Sequence, residues 1–89
     1  MSSDSHTVKA IFTFKDYSAK NEFITFANGD NGLGVTRARQ GCQSIECYES
    51  AENPLEVIIW QKWATPSDHE SYVQFRRDDG SFDFLGQLI

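Results

Sequence analysis

Trp63-Ala64-Thr65-Pro66-Ser67-Asp68-His69-Glu70-Ser71-Tyr72-Val73-Gln74-Phe75-Arg76-Arg77-Asp78-Asp79 is the stretch that decides the fold. A hydrophobic strand ends in Trp63 and a helix starts at once. Thr65 is placed as the N-cap, Pro66 fits the first helical position, and the acid Asp68 lies near the positive end of the helix. Along that helix His69, Tyr72, Val73 and Arg76 fall at i, i+3, i+4 and i+7, forming one stripe that Phe75 widens. Gly80 stops it. A second signal lies upstream in Leu33-Gly34-Val35-Thr36-Arg37-Ala38-Arg39-Gln40-Gly41-Cys42, which runs into a strand.

The strand before Trp63 starts at Leu55, and its Val57-Ile58-Ile59-Trp60 run is apolar on both faces, as in a central strand covered on two sides. Ser50 to Pro54 is a hairpin turn cluster. Cys42 to Glu49 reads as another strand, with Ser44, Glu46 and Tyr48 expected on the face of Cys42 and Gln43, Ile45 and Cys47 on the other. Gly29 to Gly34 holds three glycines and predicts a flexible loop. It is not a phosphate cradle, because no strand feeds it and Gly-x-x-x-x-Gly-Lys is absent.

Thr7 to Phe14 alternates, with Val8, Ala10, Phe12 and Phe14 toward the better-packed side. Asp16, Tyr17 and Ser18 offer a helix start, and Ala19, Phe23, Phe26 and Ala27 form its apolar face. Asn28-Gly29 predicts a left-handed cap. After Gly80, Phe82, Leu85, Leu88 and Ile89 fit a short closing helix, while Phe82 and Phe84 equally permit an extended tail.

The order is therefore β-α-β-β-α with an apolar tail. That is an α+β, ferredoxin-like unit whose fourth strand is short or absent, its antiparallel sheet packed with helices on one face. The bare face of such a sheet is a liability that a second copy across a two-fold axis would cover, so a homodimer through the sheet face is expected.

Composition narrows the partners. Eighty-nine residues make one domain, expected over 7–89 behind a disordered tail at 1–6. A chain this short buries only about 60% of its unfolded surface, which favours oligomerisation. Its 2 Trp, 3 Tyr and 7 Phe supply dense apolar area for a core or interface. A net charge of −5, with no basic block beyond Arg37/Arg39 and Arg76/Arg77, argues against nucleic acid. No apolar run reaches the ~18 residues of a membrane span, and the start lacks the apolar core of a signal peptide, so cytoplasmic residence is expected. Cys42 and Cys47, if on one strand, stand roughly 16 Å apart. A disulfide needs Cα atoms within about 7 Å, so two free thiols are expected.

With those residues in view, the chain resembles the antibiotic biosynthesis monooxygenase-like family of dimeric α/β-barrel proteins. Thr36-Arg37-Ala38-x-x-Gly41-Cys42 is similar to that family's approach to its second strand, and Asn53-Pro54 to its hairpin. Trp63-x-x-x-x-x-His69-x-x-Tyr72-x-x-x-Arg76 resembles a pattern of one branch. The likeness covers residues 8 to 89. It implies a ferredoxin-like monomer whose sheet joins its partner's into a barrel, with a pocket between sheet and helices. The implied activities include cofactor-free oxidation of polycyclic phenols and haem degradation. Haem degradation is disfavoured: Tyr72 stands where those members carry Trp, Thr7–Phe14 holds no Asn, and no His follows His69. The phenol-oxidising members also use that strand Asn, so their chemistry does not transfer directly.

Cofactor-free oxygenation needs a base, a dry apolar pocket and a positive group for a developing anion. His69, Tyr72 and Arg76 are the candidate catalytic residues, with His69 as base, Tyr72 as ligand contact and Arg76 as the positive group. Each has an ordinary alternative: an exposed helical His, an amphipathic core Tyr, a surface ion pair with Glu70 or Asp79 worth about 0–1 kcal/mol. Trp63, Trp60, Arg37 and Phe12 are candidate substrate contacts. Trp63 equally suits the sheet–helix junction, Trp60 points to the opposite face, and Arg37 is either a guard of the pocket mouth or a solvated loop residue. No haem, flavin or metal motif is present and no cofactor is expected. The functional expectation is a monooxygenase-like protein acting on a small aromatic or quinol, with a non-catalytic binding or dimerisation domain as the alternative.

Overall fold

Alternating hydrophobicity becomes strand β1, His6–Thr13, in the computed structural model, which describes residues 5–89. Val8, Ala10 and Phe12 are half-buried while Thr7, Lys9, Ile11 and Thr13 face out. The strand begins at His6, which pairs with Trp63, and Ser5 Oγ donates to Gln43 Oε1 at 2.7 Å. The expected tail at 1–6 therefore ends sooner at its C-terminal side, and residues 1–4 lie outside the described residues.

Helix α1, Tyr17–Asn28, is capped by Asp16, whose carboxylate accepts the Ala19 N–H at 2.7 Å. Its buried face carries Ala19, Phe23 and Ala27, and also Lys20, whose Nζ donates to the Pro54 carbonyl at 2.7 Å and pairs with Glu49 at 2.6 Å. The left-handed cap expected at Asn28-Gly29 does not form, because Gly29 is extended at φ −89° and its N–H returns to the Phe26 carbonyl. The glycine-rich stretch is not loop throughout: Leu33–Arg37 closes into a short helix, α2.

Strand β2, Cys42–Glu49, and strand β3, Glu56–Trp63, follow. The sheet order is β1-β3-β2, antiparallel at both seams. A bulge between Cys42 and Ser44 changes the expected faces of β2. It sets Cys42 opposite Trp63 and Cys47 opposite Ile59, so both cysteines lie on the buried face rather than on opposite ones. They stay free thiols, still about 13 Å apart along the strand direction. Burial raises both thiol pKa values, and at Cys42 the Arg37 charge offsets part of the rise.

Helix α3, Pro66–Asp78, starts where the capping signals placed it, with Thr65 Oγ1 accepting the Asp68 N–H at 3.1 Å. Such a cap contributes about 1 kcal/mol. Gly80, at φ +84°, takes the left-handed turn that ends α3 and starts α4, Ser81–Leu88. Helix α4 resolves the tail in favour of the helix. Leu88 enters the core, where Phe14, Phe23, Ile45, Val57 and Ile59 gather, and its carbonyl accepts the Lys15 N–H at 3.0 Å. Among the described residues the sheet has three strands, and the tail packs on α1 and α3.

Within one chain β3 is covered on one face only. Val57, Ile59, Gln61 and Trp63 are buried beneath the helices. The opposite face leaves Trp60 40%, Ile11 51% and Tyr48 54% exposed, with Ile58 paired to both Ile11 and Tyr48. Among the described residues no helix is long and apolar enough to cross a membrane.

Candidate functional site

Between the buried sheet face and the helices lies a cavity of about 270 Å³. Val8, Ala10, Phe12, Ile59 and Gln61 form its floor. Phe23 and Phe26 of α1, Leu33 of α2 and Phe82, Phe84 and Leu85 of α4 supply apolar walls. Its polar wall comes from α3, where the i, i+3, i+7 stripe of His69, Tyr72 and Arg76 faces inward, joined by Thr36 and Ser81. The helix periodicity that made this stripe legible in the sequence is what aims all three at one space.

Arg76, only 3% exposed, is spent on the protein itself. Nε donates to the Tyr72 hydroxyl at 3.0 Å; Nη1 donates to the Asn31 carbonyl at 2.9 Å and to Asp79 Oδ2 and Ser81 Oγ, both at 3.2 Å. Nη2 donates to the Gly32 carbonyl at 2.9 Å and to Thr36 Oγ1 at 3.0 Å. A guanidinium has five N–H groups, and these acceptors engage all of them. Arg76 is thus a clamp joining α3 to the glycine loop, α2 and the start of α4. The role expected for it, a free positive group for a ligand anion, does not fit this bonding. Burial pushes the Asp79 carboxyl up, but hydrogen bonds from Ser81 and the Arg76 charge outweigh that and hold it below its ordinary value.

Tyr72 stacks on Trp63, ring centroids 5.1 Å apart, a contact worth about 0.5–1.5 kcal/mol. Its oxygen accepts from Arg76 Nε and from Thr36 Oγ1 at 2.9 Å. With both lone pairs taken, its own hydroxyl hydrogen is left to point elsewhere, and Tyr72 lines the cavity. His69 is half-buried beside the rings of Trp63 at 5.8 Å and His6 at 5.6 Å. Burial, then the nearby His6, lower its pKa against a smaller opposing pull from Glu70, so the imidazole is neutral near pH 7.

The expected substrate contacts divide. Phe12 lines the cavity. Trp63 is fully buried behind Tyr72 and donates through Nε1 to Gln61 Oε1 at 2.8 Å, so it positions the site rather than lining it. Trp60 stands on the open face of the sheet with Lys9 Nζ 5.6 Å from its ring centre, outside the cavity, because it is three residues from Trp63 on a strand of period two. Arg37 lies outside too, its Nη2 donating to the Ile45 carbonyl at 3.2 Å. Comparisons with protein-family models, curated proteins and solved structures find no match.

Two residues of the site are not among the candidates that the sequence offers. Thr36 is fully buried, and its place in the approach to β2 carries no signal of that. Gln61 carried a readable signal: it is the one amide in the row Val57, Ile59, Gln61, Trp63 on the buried face of the central strand. Among the described residues no three His, Cys, Asp or Glu side chains are grouped to hold a metal ion. What the arrangement offers chemically is a neutral imidazole, hydroxyl and amide donors, and aromatic walls.

Proposed function

We propose that this chain is a ferredoxin-like, homodimeric domain of the monooxygenase-like kind that binds a one- or two-ring aromatic molecule and oxidises it with O2 without a cofactor. The observation that carries this reading is the aromatic-walled cavity of about 270 Å³ with His69 and Tyr72 on one side. An engineered cavity of about 150 Å³ holds benzene, so two fused rings suit this one. The β1-β3-β2 order and the apolar row of Ile11, Tyr48 and Trp60 support the sheet-to-sheet dimer.

In this reading neutral His69 takes a proton from an acidic aromatic CH2, and the Tyr72 hydroxyl steadies the oxygen that gains charge. The carbanion gives its electrons to O2. One oxygen atom ends in a new C=O and the other leaves as water with the two hydrogens lost from carbon. The apolar walls keep bulk water from the carbanion.

The binding-only alternative is favoured by one observation: Arg76, engaged at every N–H, leaves the cavity without a spare cation for the anion. Oxygen uptake by the purified chain, with metals chelated, separates the two. Uptake with a two-ring substrate that drops at least tenfold in His69→Ala supports oxidation. Binding without uptake supports the alternative.

A further inference from the structure

We propose that Gln61 is the specificity-determining residue of the cavity, presenting an amide N–H2 that selects an aromatic ligand bearing an uncharged acceptor oxygen, such as a ring ketone, over the bare hydrocarbon or the carboxylate. The inference rests on the cavity being an aromatic-ligand site, and is independent of whether oxidation follows.

Gln61 lies on the central strand between Val8 and Ile45, on the helix-covered face, and is 8% exposed. An amide at such a place is disfavoured unless both of its ends are satisfied. One end is: Trp63 Nε1 donates to Oε1 at 2.8 Å. An indole N–H only donates, so this bond settles which end of the amide is which. The carbonyl oxygen faces Trp63 and the N–H2 faces away. Among the described residues that nitrogen has no protein acceptor, yet it is not among the sealed, unpartnered atoms, and Gln61 lines the cavity. Its two hydrogens are therefore available to a cavity occupant. The Tyr72 hydroxyl adds a second donor.

Charge completes the selection. The titratable groups lining the cavity are Arg76, His69 and Tyr72, and Arg76 is the cation among them. Arg76 has every N–H engaged and is paired with Asp79 at 3.2 Å, and His69 is neutral near pH 7. A carboxylate entering the cavity would shed its water and find neutral donors without a free counter-charge. A ketone loses far less and takes the same bonds.

Titration of the full chain with α-tetralone, tetralin and tetralin carboxylate tests this, with probes inert toward the free thiols of Cys42 and Cys47. The ketone is expected to bind about tenfold or more tighter than the hydrocarbon, one hydrogen bond's worth in affinity, and the carboxylate weakest. Gln61→Met removes the N–H2 and leaves no donor at that position; it should abolish the ketone preference and leave tetralin within about threefold. Gln61→Leu serves where the methionine variant does not fold. Equal affinity for ketone and hydrocarbon in the wild type overturns the inference, as does a preference that survives in a folded variant. The tightest binding by the carboxylate also overturns it. Failure of all three probes to bind removes the aromatic-site reading itself, whereas tetralin binding without ketone preference removes only the role of Gln61.

Discussion

Arg76 Nε donates to the Tyr72 hydroxyl at 3.0 Å, so the side chain that lines the cavity is held by the one that anchors the loop behind it. The same guanidinium takes the carbonyls of Asn31 and Gly32. Arg76→Ala would leave those carbonyls and the hydroxyls of Tyr72, Thr36 and Ser81 without their donor, and Asp79 without its ion-pair partner. Loss of about 3–5 kcal/mol in urea unfolding is expected. Arg76→Lys should recover little of it, because an ammonium has three donors and no planar fork. A loss below about 1 kcal/mol for the alanine variant would refute the clamp.

Glycine positions 32 and 34 should respond in opposite directions. A Cβ at Gly32 would run into the carbonyls of Phe26 and Ala27, while at Gly34, inside α2, it meets nothing within 4 Å. Gly32→Ala is expected to destabilise by about 1–3 kcal/mol and Gly34→Ala to stabilise by about 0.4–1 kcal/mol. Thermal melts of the two variants decide it; the same sign for both would contradict the local packing.

Acidification should weaken the fold in two separate windows. His69 has a folded-state pKa below its unfolded value, so its contribution is present above about pH 6.5 and is lost as the pH falls through that value toward the folded pKa. Asp79, also lowered, contributes above its unfolded value of about 3.9 and loses that contribution only below it. Melting temperatures followed against pH should therefore drop first near neutrality and again in acid. His69→Gln should flatten the first drop and leave the second. A first drop that persists in the variant would assign it to another group.

The open face of the sheet should make the dimer. Trp60→Glu with Tyr48→Lys places charge among exposed apolar groups that do not line the cavity. The wild type is expected to sediment as a dimer and the double variant as a folded monomer. A wild type that is monomeric at every concentration would contradict the expected assembly.

Local signals carried most of this fold. The alternation of Val8, Ala10 and Phe12, the Thr65-Pro66-x-Asp68 cap and the stripe His69, Tyr72, Arg76 each have a short-range physical cause, and the structure contains each of them. What stayed illegible depends on contacts far along the chain. Helix α2 has five residues and no side-chain cap, and the carbonyl before it is taken by Arg76, 44 residues later. The bulge at Cys42/Ser44 shifts one residue and thereby reverses a face assignment that simple alternation cannot correct. Arg76 was legible as inward-facing but not as saturated, since two of its acceptors are backbone carbonyls, which every residue carries. Gln61 was visible as a polar break in an apolar row, and its meaning needed the Trp63 bond.

Methyl chemical shifts of the full chain recorded during a titration with α-tetralone test occupancy of the cavity most directly. Val8, Ile59, Val73 and Leu85 line the cavity, whereas Ile11 lies on the open face of the sheet. Saturable shifts are expected at the first four and none at Ile11. Shifts confined to Ile11 and Ile58, or no shifts anywhere, would contradict a ligand site in the cavity.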